Sequence, residues 1–384
     1  MKKRLGLVGC GNLGFSLANY IGKLGFDELF VHDLDQEKSL NLKENISKVY
    51  PMMHVEQGIY TNKVDVILLS LSGPQTIEFV TDPKNHSCFS GDKVFVSLGR
   101  PSYDDIAQHE ELDRYLVENN ITLLFGLGLE PGLVEILMQY VAWQQGSKSL
   151  TCLRSVCGGV PLNPTPPLNY DLLFGDRLPS LNRRALFKLN GSLSYCNRFD
   201  ICERSFVDGV GMLEVFHDGL SPYLLSSPYI KDIPNIKQQT ARWPGFFECM
   251  RTLIALGLLE DAPTLAGDLV PNDLTHSILM QNGNLKRNGP DISFVEVTGE
   301  LASGGEVKVS LVSTWDEESN LTGMAKLTSF MVTWAAWEMT RSHRDCRAGL
   351  ILGHQYFHGE KTSELLESFK EHIGCTVKLS FTDQ

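Results

Sequence analysis

The chain has 384 residues, which is enough for two domains with substantial hydrophobic cores. Its 42% hydrophobic and 21% charged residues are typical of a globular protein, and its formal net charge is −12 at pH 7. Because no basic stripe offsets that charge, we expect neither nucleic acid nor an anionic membrane surface to be the main partner.

The cysteines and the hydropathy pattern favour a cytoplasmic protein. Nine cysteines are scattered along the chain without a C-x-x-C pair, a pattern typical of reduced thiols. The basic start Met1-Lys2-Lys3-Arg4 is followed by a short, glycine-rich apolar stretch that does not fit a signal peptide. No uninterrupted apolar stretch approaches the roughly 18 residues of a membrane span, so no membrane span is expected.

A glycine-rich turn between a strand and a helix is the first motif. Arg4 to Val8 is a short apolar run that predicts a buried strand, and Phe15 to Ile21 has the apolar recurrence of a helix. The intervening Gly9-Cys10-Gly11-Asn12-Leu13-Gly14 has G-x-G-x-x-G spacing. Such glycines allow a tight bend, close approach of a pyrophosphate and close packing of helix on strand. The phosphates would lie at the helix N-terminus, although an ordinary glycine-rich turn has the same pattern.

An acidic residue follows at the distance that a dinucleotide site requires. Leu29 to His32 predicts a second strand, and Asp33 comes directly after it, where a carboxylate binds a ribose 2′-hydroxyl. The alternative is a solvated loop carboxylate. Asp33 is followed by Leu34 and Asp35, with no arginine to receive a 2′-phosphate, so we expect NAD as the cofactor rather than NADP.

Strands and helices then alternate as in a mostly parallel sheet. Val64 to Leu71 predicts a buried strand, and Ser70, Leu71 and Ser72 lie at its carboxyl end, where such sheets bind cofactors. Further strands are predicted at Lys93 to Leu98 and at Ile121 to Phe125, with helices between them. The fold class is therefore α/β, a Rossmann-type doubly wound parallel sheet.

A second domain of α+β type is expected after this sheet. The domain boundaries are 1–130 for the NAD-binding domain and 131–320 for the substrate domain, with 321–384 packing back on the first. Within the second domain, Leu153 to Val156 predicts a strand that ends in the turn Cys157-Gly158-Gly159-Val160-Pro161. Phe294 to Ser313 predicts a hairpin, which would suit extension of a sheet across a homodimer.

Several separated motifs resemble the saccharopine dehydrogenase superfamily across nearly the whole chain. They include the segment from Gly128 to Gly132 with Glu130 in the place of an aspartate, the Cys-Gly-Gly-x-Pro turn, and Pro-Pro-Leu-Asn-Tyr ending at Tyr170. Arg242-Trp243-Pro244-Gly245-Phe246 matches a further family turn with Trp for Tyr, and Met212 to Phe216 resembles the Leu-Glu-x-Phe segment.

The resemblance implies hydride transfer between a nicotinamide and a carbon that bears an amine or imine nitrogen. The superfamily includes saccharopine reductases, lysine 6-dehydrogenases and carboxynorspermidine dehydrogenases, and the motifs of this chain mix features of the first two. Saccharopine reductases continue with Asn-Arg-Asp-Ser where this chain has His217-Asp218-Gly219-Leu220-Ser221. The expected function is therefore an NAD-dependent amino-acid dehydrogenase of the lysine 6-dehydrogenase or saccharopine dehydrogenase type. The alternatives are a carboxynorspermidine-type secondary-amine reductase and a non-catalytic NAD-binding scaffold or sensor.

Three residues are candidates for catalysis. Arg242 is expected to clamp a substrate carboxylate, unless it is a structural arginine that pairs with an acid of its own domain. Glu130 would hold the substrate ammonium or act as a base, and its alternative is a carboxylate that stabilises a helix N-terminus. His217 is a second candidate base because its pKa is ordinarily near neutral, although a lone histidine is more often a surface or core residue.

Other residues are expected to contribute to the substrate site. Asn169 and Tyr170 offer hydrogen bonds, Gly158 and Gly159 allow the backbone to approach a ligand, and Trp243 could stack on Arg242 or on the substrate. Cys157 is expected to pack beside them rather than act as a nucleophile, since no base is fixed next to it. The i, i+4 pair His354 and His358 lacks a third ligand, so no metal is expected.

Overall fold

The computed structural model describes residues 2–102, 105–173, 178, 184–264, 267–287, 289–342 and 347–382. The chain divides into two compact units. Unit 1 comprises Met1–Ile136 and Ala325–Phe369, and unit 2 comprises Leu137–Met324 and Lys370–Gln384.

Within these residues the strands have the following bounds: β1 Arg4–Val8, β2 Glu28–His32, β3 His54–Gln57, β4 Val66–Leu69, β5 Lys93–Ser97, β6 Ile121–Phe125, β7 Leu150–Pro161, β8 Arg184–Leu189, β9 Ser192–Asn197, β10 Cys202–Val207, β11 Gly211–His217, β12 Asn235–Arg242, β13 Asp291–Leu301, β14 Glu306–Thr314, β15 Gly349–Leu352 and β16 Thr376–Thr382.

The α-helices of the same residues are α1 Asn12–Lys23, α2 Gln36–Val49, α3 Gly73–Thr81, α4 Ile106–Glu118, α5 Leu133–Gln145, α6 Pro222–Leu225, α7 Phe246–Ala255, α8 Pro271–Gln281, α9 Gly323–Ser342, α10 Gly353–Tyr356 and α11 Glu360–Ile373. In this part of the chain, no helix combines the length and the apolar character that crossing a membrane requires.

Unit 1 contains a seven-stranded sheet in the order β15-β6-β5-β4-β1-β2-β3. All neighbouring strands are parallel. Strands β4 and β6 are buried at every residue, because a parallel sheet is covered on both faces and its central strands need no polar face. The predicted Rossmann-type doubly wound sheet is confirmed. Its edge strand β15 is contributed by a distant part of the chain, with Gly349 opposite Thr122.

Unit 2 contains a nine-stranded mixed sheet with the main order β10-β11-β12-β7-β13-β14-β16, to which β8 and β9 are attached through β12. The central strand β7 pairs with β12 on one side and with β13 on the other. The expected turn at Cys157 to Pro161 is therefore wrong, because these residues continue β7 and Gly159 lies opposite Ser293. Antiparallel pairing with β13 as far as Pro161 keeps this glycine-rich segment extended.

The last strand corrects two expectations, one about the end of the chain and one about the hairpin of unit 2. β16 pairs antiparallel with β14, so residues 370–382 belong to unit 2 rather than to the first domain. β13 and β14 form the predicted hairpin, but each also has a second neighbour in the sheet. With both of its outer edges paired, the hairpin cannot extend the sheet into another protomer, and the edge is β16 instead.

Two hydrophobic clusters lie on opposite faces of the unit 2 sheet, because successive residues of a strand point to opposite faces. One, the aromatic cluster, contains Tyr170, Phe199, Phe216, Phe246 and Phe247 with neighbouring aliphatic residues. The other, the aliphatic cluster, contains Val156, Val160, Val207, Leu213, Val215, Ala241 and Phe294. Each cluster defines a face of the sheet, and the faces are named accordingly below.

Candidate functional site

The glycine loop of unit 1 is packed so tightly that side chains are excluded at two positions. Gly9 has φ +92° and lies against β4, so that a Cβ there would be 2.6 Å from the carbonyl oxygen of Ser70. A Cβ on Gly14 would be 2.1 Å from the carbonyl oxygen of Gly9. In contrast, a Cβ on Gly11 would meet no atom within 4 Å. The loop is therefore closed against the sheet and open at Gly11, as a pyrophosphate site requires.

The helix that follows has an uncapped N-terminus. Gly11 is the N-cap of α1 and offers no side-chain acceptor, and the first turn contains no acidic residue. The N–H groups of Asn12 and Leu13 have no acceptor within the helix, and they carry the positive end of its dipole. This arrangement fits an anionic phosphate.

Asp33 is held between the glycine loop and the next helix. One carboxylate oxygen accepts the N–H of Cys10 at 2.7 Å, and the other accepts the N–H of Asp35 at 2.9 Å. Asp35 in turn caps α2. The Asp33 carboxylate is thus fixed at the carboxyl end of β2, and burial together with that charge raises the pKa of the Cys10 thiol to about 12.

The three residues after β4 differ in what their side chains can do. Ser70 continues from β4, and its N–H donates to the carbonyl oxygen of Val8 at 2.8 Å. Leu71 is half-buried beside it. Ser72 is the N-cap of α3 and forms a capping box with Gln75. The Ser72 hydroxyl therefore stabilises a helix, whereas Ser70 lies against the glycine loop.

Glu130 is paired with an arginine that the sequence analysis did not identify. Its side chain is 9% exposed, and both carboxylate oxygens lie 3.4 Å from the guanidinium nitrogens of Arg100. Arg100 follows β5 and Glu130 follows β6. The signal that could have found Arg100 is that neighbouring parallel strands end at the same edge of a sheet. The N-terminus of α5 is instead stabilised by Glu135, which accepts the N–H of Gly132 at 2.6 Å.

Arg242 ends β12 on the aromatic face of unit 2 and is half-buried. Its guanidinium lies 5.2 Å from the ring centre of Tyr170 and 5.8 Å from that of Phe246. Nη1 donates to the carbonyl oxygen of Ala241 at 2.7 Å, while the buried Nε has no acceptor among the described residues. A carboxylate could therefore bind along the Nε–Nη2 edge.

Of the other predicted substrate-site residues, Asn169 and Gly158 lie closest to Arg242 or to the turn that follows it. Asn169 donates to the carbonyl oxygen of Pro244 at 2.8 Å, which ties it to the turn that follows Arg242. Gly158 is needed for close packing, since a Cβ there would lie 2.6 Å from the carbonyl oxygen of Ala241 and 3.3 Å from Nη1 of Arg242. Gly159 is likewise surrounded, with Leu173 and Met324 closest to a Cβ placed there. Cys157 is buried in β7, and its sulfur accepts from Gln238 at 3.5 Å.

Glu214 is a second residue that the sequence analysis did not identify as functional. It lies on β11 directly opposite Arg242. One of its carboxylate oxygens accepts the N–H of Gly245 at 3.1 Å and that of Phe247 at 3.3 Å. It therefore caps α7 from the neighbouring strand β11.

His217 and Trp243 do not join Arg242. His217 pairs with Gln239 and points to the aliphatic face, where its ring lies 5.0 Å from that of Phe187. Burial lowers its pKa, and Lys237 adds to this effect. Trp243 packs against the aliphatic cluster, and its indole nitrogen donates to the carbonyl oxygen of Pro161 at 2.8 Å. Strand alternation thus separates both residues from the arginine, contrary to the expectation that they share its site.

The histidine pair near the end of the chain does not form a metal site in the described structure. His354 is buried in α10, and burial lowers its pKa to about 4, whereas His358 is exposed. Over the described ranges, no group of three or more His, Cys, Asp or Glu side chains could hold a metal ion. The eight cysteines in these ranges are free thiols.

Comparison with known proteins identifies the family of this chain. The family description "Saccharopine dehydrogenase C-terminal domain" matches residues 128–374, more than half of the chain. The chain belongs to the saccharopine dehydrogenase family. This membership identifies an oxidoreductase family of amino-acid dehydrogenases that use a pyridine nucleotide, and the fold of unit 1 accords with it.

The fold is also that of a solved family member. The apo saccharopine dehydrogenase (L-Glu forming) of Saccharomyces cerevisiae superposes with a TM-score of 0.74 at 16% identity, and the match covers 99% of this chain and 100% of that chain. A myo-inositol dehydrogenase from Corynebacterium glutamicum gives a TM-score of 0.41 at 10% identity, covering 89% and 90% of the two chains. The saccharopine dehydrogenase fold thus extends over both units.

Proposed function

We propose that this protein is an NAD-dependent dehydrogenase that acts on the C–N bond of an amino acid, of the lysine 6-dehydrogenase or saccharopine dehydrogenase type. The observation that carries the proposal is that Arg242 has no acidic partner among the described residues. Its guanidinium is half-buried against Tyr170 and Phe246, yet no carboxylate of the described chain pairs with it. A buried cation without an acid partner is costly unless a ligand supplies the negative charge.

The substrate carboxylate would bind to the side of Arg242 that the protein leaves unused. Nη1 is engaged by the carbonyl of Ala241, so Nε and Nη2 are the donors for a bidentate carboxylate. The rings of Tyr170 and Phe246 keep the guanidinium in place and reduce its contact with water. This arrangement favours a substrate with a planar anionic group, as amino acids have.

The residues of unit 1 fit a pyridine nucleotide. The open space at Gly11 and the uncapped start of α1 would hold the pyrophosphate, and Asp33 the ribose hydroxyls. Once bound, the nicotinamide supplies the hydride chemistry. Because two N–H groups fix the Asp33 carboxylate, it cannot turn away from a 2′-phosphate, which supports NAD over NADP.

Glu130 is proposed to bind the ammonium end of a substrate. The neighbouring Arg100 guanidinium pairs with this carboxylate at 3.4 Å. An ionised, mostly buried carboxylate attracts an amine or an iminium and can accept the proton that leaves when an amine is oxidised. Its partner Arg100 would then hold the carboxylate in position during the reaction.

A substrate panel tests the proposal. Lysine, saccharopine, carboxynorspermidine and a simple imine pair are each assayed in both directions with NAD and with NADP, by following NADH or NADPH absorbance. We expect one amino-acid substrate to turn over with NAD in preference to NADP. Turnover of carboxynorspermidine alone would instead favour the secondary-amine reductase.

Substitution of Arg242 links the activity to the site. We expect Arg242→Ala to raise the KM for the amino acid roughly 100-fold or more. The KM of Arg242→Lys should stay almost as high, because lysine lacks the two parallel N–H donors that bind a carboxylate. Arg251→Ala is the matched control, since Arg251 also lies over an aromatic ring, that of Phe247 at 5.5 Å. Tight NAD binding without any turnover, unchanged in Arg242→Ala, would support a non-catalytic NAD-binding protein.

A further inference from the structure

Glu214 and Arg242 form an unusual cross-strand pair. They lie directly opposite each other on β11 and β12, so that both side chains leave the same face of the sheet. Opposite charges in such positions ordinarily attract and pair. Over the described residues, however, Arg242 forms no ion pair, and its Nε is buried without an acceptor.

The Glu214 carboxylate is engaged elsewhere. Its Oε2 accepts the N–H groups of Gly245 and Phe247 at 3.1 and 3.3 Å. Gly245, the N-cap of α7, has φ +100° and offers no side chain to these donors. Glu214 therefore replaces the missing cap, and the positive end of the helix dipole attracts its charge away from Arg242.

The cap also sets the geometry around the guanidinium. Arg242 is the last residue of β12 and Phe246 is the first of α7, so only Trp243, Pro244 and Gly245 separate the strand from the helix. Phe246 is 1% exposed, and its ring is one of the two surfaces against which Arg242 rests. A change in how α7 begins would move that ring relative to Arg242.

We infer that Glu214 is the positioning residue of the carboxylate clamp. It holds the start of α7, and with it Phe246, against Arg242. Since its own charge is directed at the helix N-terminus, it leaves the Nε–Nη2 edge of Arg242 to the carboxylate of the substrate. The inference rests on the proposed function, because it concerns the residue that binds that carboxylate.

The test compares Glu214→Ala, Glu214→Gln and Glu214→Asp with the wild type, using the amino acid that the panel identifies. We expect Glu214→Ala to raise KM at least about tenfold with kcat within about threefold of wild type, because ground-state positioning is lost. The affinity for NAD, measured by fluorescence titration, stays unchanged. Glu214→Gln, whose amide oxygen still accepts both N–H groups, restores KM to within about threefold.

Glu214→Asp distinguishes the effect of the negative charge from that of its position. It also tests the inference if the alanine variant does not fold. The shorter carboxylate keeps the charge but does not reach both N–H groups, so KM rises about fivefold or more. Glu203→Gln is the matched control, because Glu203 pairs with Lys237 at 3.2 Å on the aliphatic face. We expect its KM to equal that of the wild type.

Two results would overturn the inference without touching the proposed function. One is a Glu214→Ala protein with a lowered Tm and an unchanged KM, which would make Glu214 a helix cap only. The other is a Glu214→Asp protein with wild-type KM. The proposed function itself fails if the wild-type protein turns over no amino acid of the panel and calorimetry detects no binding of any of them. In that case Arg242→Ala changes neither activity nor binding.

Discussion

Three arginines lie over rings of the aromatic cluster, and Arg251 is the exposed one. Of the other two, only Arg198 has an acidic partner. The guanidinium of Arg198 is 5.7 Å from the ring of Phe216 and pairs with Asp218, which also accepts from Thr240. Arg242 has a comparable aromatic environment without a carboxylate. Since the protein compensates the charge of Arg198 internally, Arg198 is structural, and the contrast supports our proposal that Arg242 binds an anion.

Asp33 governs the choice of cofactor in our proposal. We predict that Asp33→Ser weakens NAD binding about tenfold and narrows the difference between NAD and NADP, because a hydrogen-bond acceptor and a repulsive charge are both removed. Titration of NAD and of NADP into the wild type and into Asp33→Ser measures the four affinities. Asp35→Asn keeps a capping side chain on α2 and serves as the control. Equal binding of NAD and NADP by the wild type would contradict the prediction.

His354 makes stability depend on pH. It is 4% exposed, and burial lowers its pKa from 6.5 to about 4. Between these values the unfolded chain binds the proton and the folded chain does not, so the free energy of unfolding falls as the pH is lowered. The loss is about 1.4 kcal/mol per pH unit, or about 3 kcal/mol over the whole interval.

We therefore predict that His354→Gln reduces the acid sensitivity of folding. Urea unfolding at about pH 7 and at about pH 4.5 measures the free energy of unfolding of both proteins, and the wild type should lose about 2–3 kcal/mol more than the variant. His358→Gln is the control, because His358 is exposed. An equal loss in all three proteins would show that His354 is not the group responsible.

At the scale of elements, the sequence predicts the first sheet better than the second. The central parallel strands of unit 1 are short apolar runs between turn residues, and this local signal suffices to locate β1 and β6 residue by residue. In β7 the local signal is misleading, because Gly158 and Gly159 have the composition of a turn. Atoms distant in sequence, such as the carbonyl of Ala241, occupy the space of their side chains.

The candidate site shows the same division. Sequence reasoning identifies Arg242 and Tyr170, which the structure brings together, but it also groups Trp243 with them. Trp243 directly follows Arg242, the last residue of β12, and packs on the opposite face of the sheet. No sequence pattern reports where β12 ends. Glu214 was missed as functional because its partners are backbone N–H groups of a helix that is distant in sequence.

Helix α9 depends on a cap from a distant strand. Asp291 of β13 is fully buried and accepts the N–H groups of Gly323 and Met324 at 2.5 and 3.1 Å, together with the hydroxyl of Ser293 at 2.8 Å. We predict that Asp291→Ala lowers the free energy of unfolding by about 2 kcal/mol or more, because buried donors lose their acceptor. Chemical denaturation measures it. An exposed cap provides the control: Asp105→Ala on α4 should cost about 1 kcal/mol or less.

At the scale of the whole molecule, the exposed sheet edge supports the expected homodimer. Strand β16 has Leu379 and Phe381 at 46% and 57% exposure, and apolar edge strands promote pairing between chains. We predict that the protein sediments as a dimer and that the double substitution Leu379→Lys, Phe381→Lys shifts it toward monomer. Met52→Lys, at a residue that is 95% exposed in unit 1, should have no effect. A monomeric wild type, or a dimer insensitive to the double substitution, would contradict this.

The path of the chain through its two units has a consequence for synthesis on the ribosome. Strand β15 completes the first sheet and β16 completes the second, and both are translated after residue 348. While the chain emerges N-terminus first, the edge of β6 stays unpaired until β15 is made, and the edge of β14 stays unpaired until β16 is made. Ribosome-associated chaperones should therefore bind nascent chains of this protein. A chain that terminates before β15 would keep two unpaired sheet edges, both prone to aggregation.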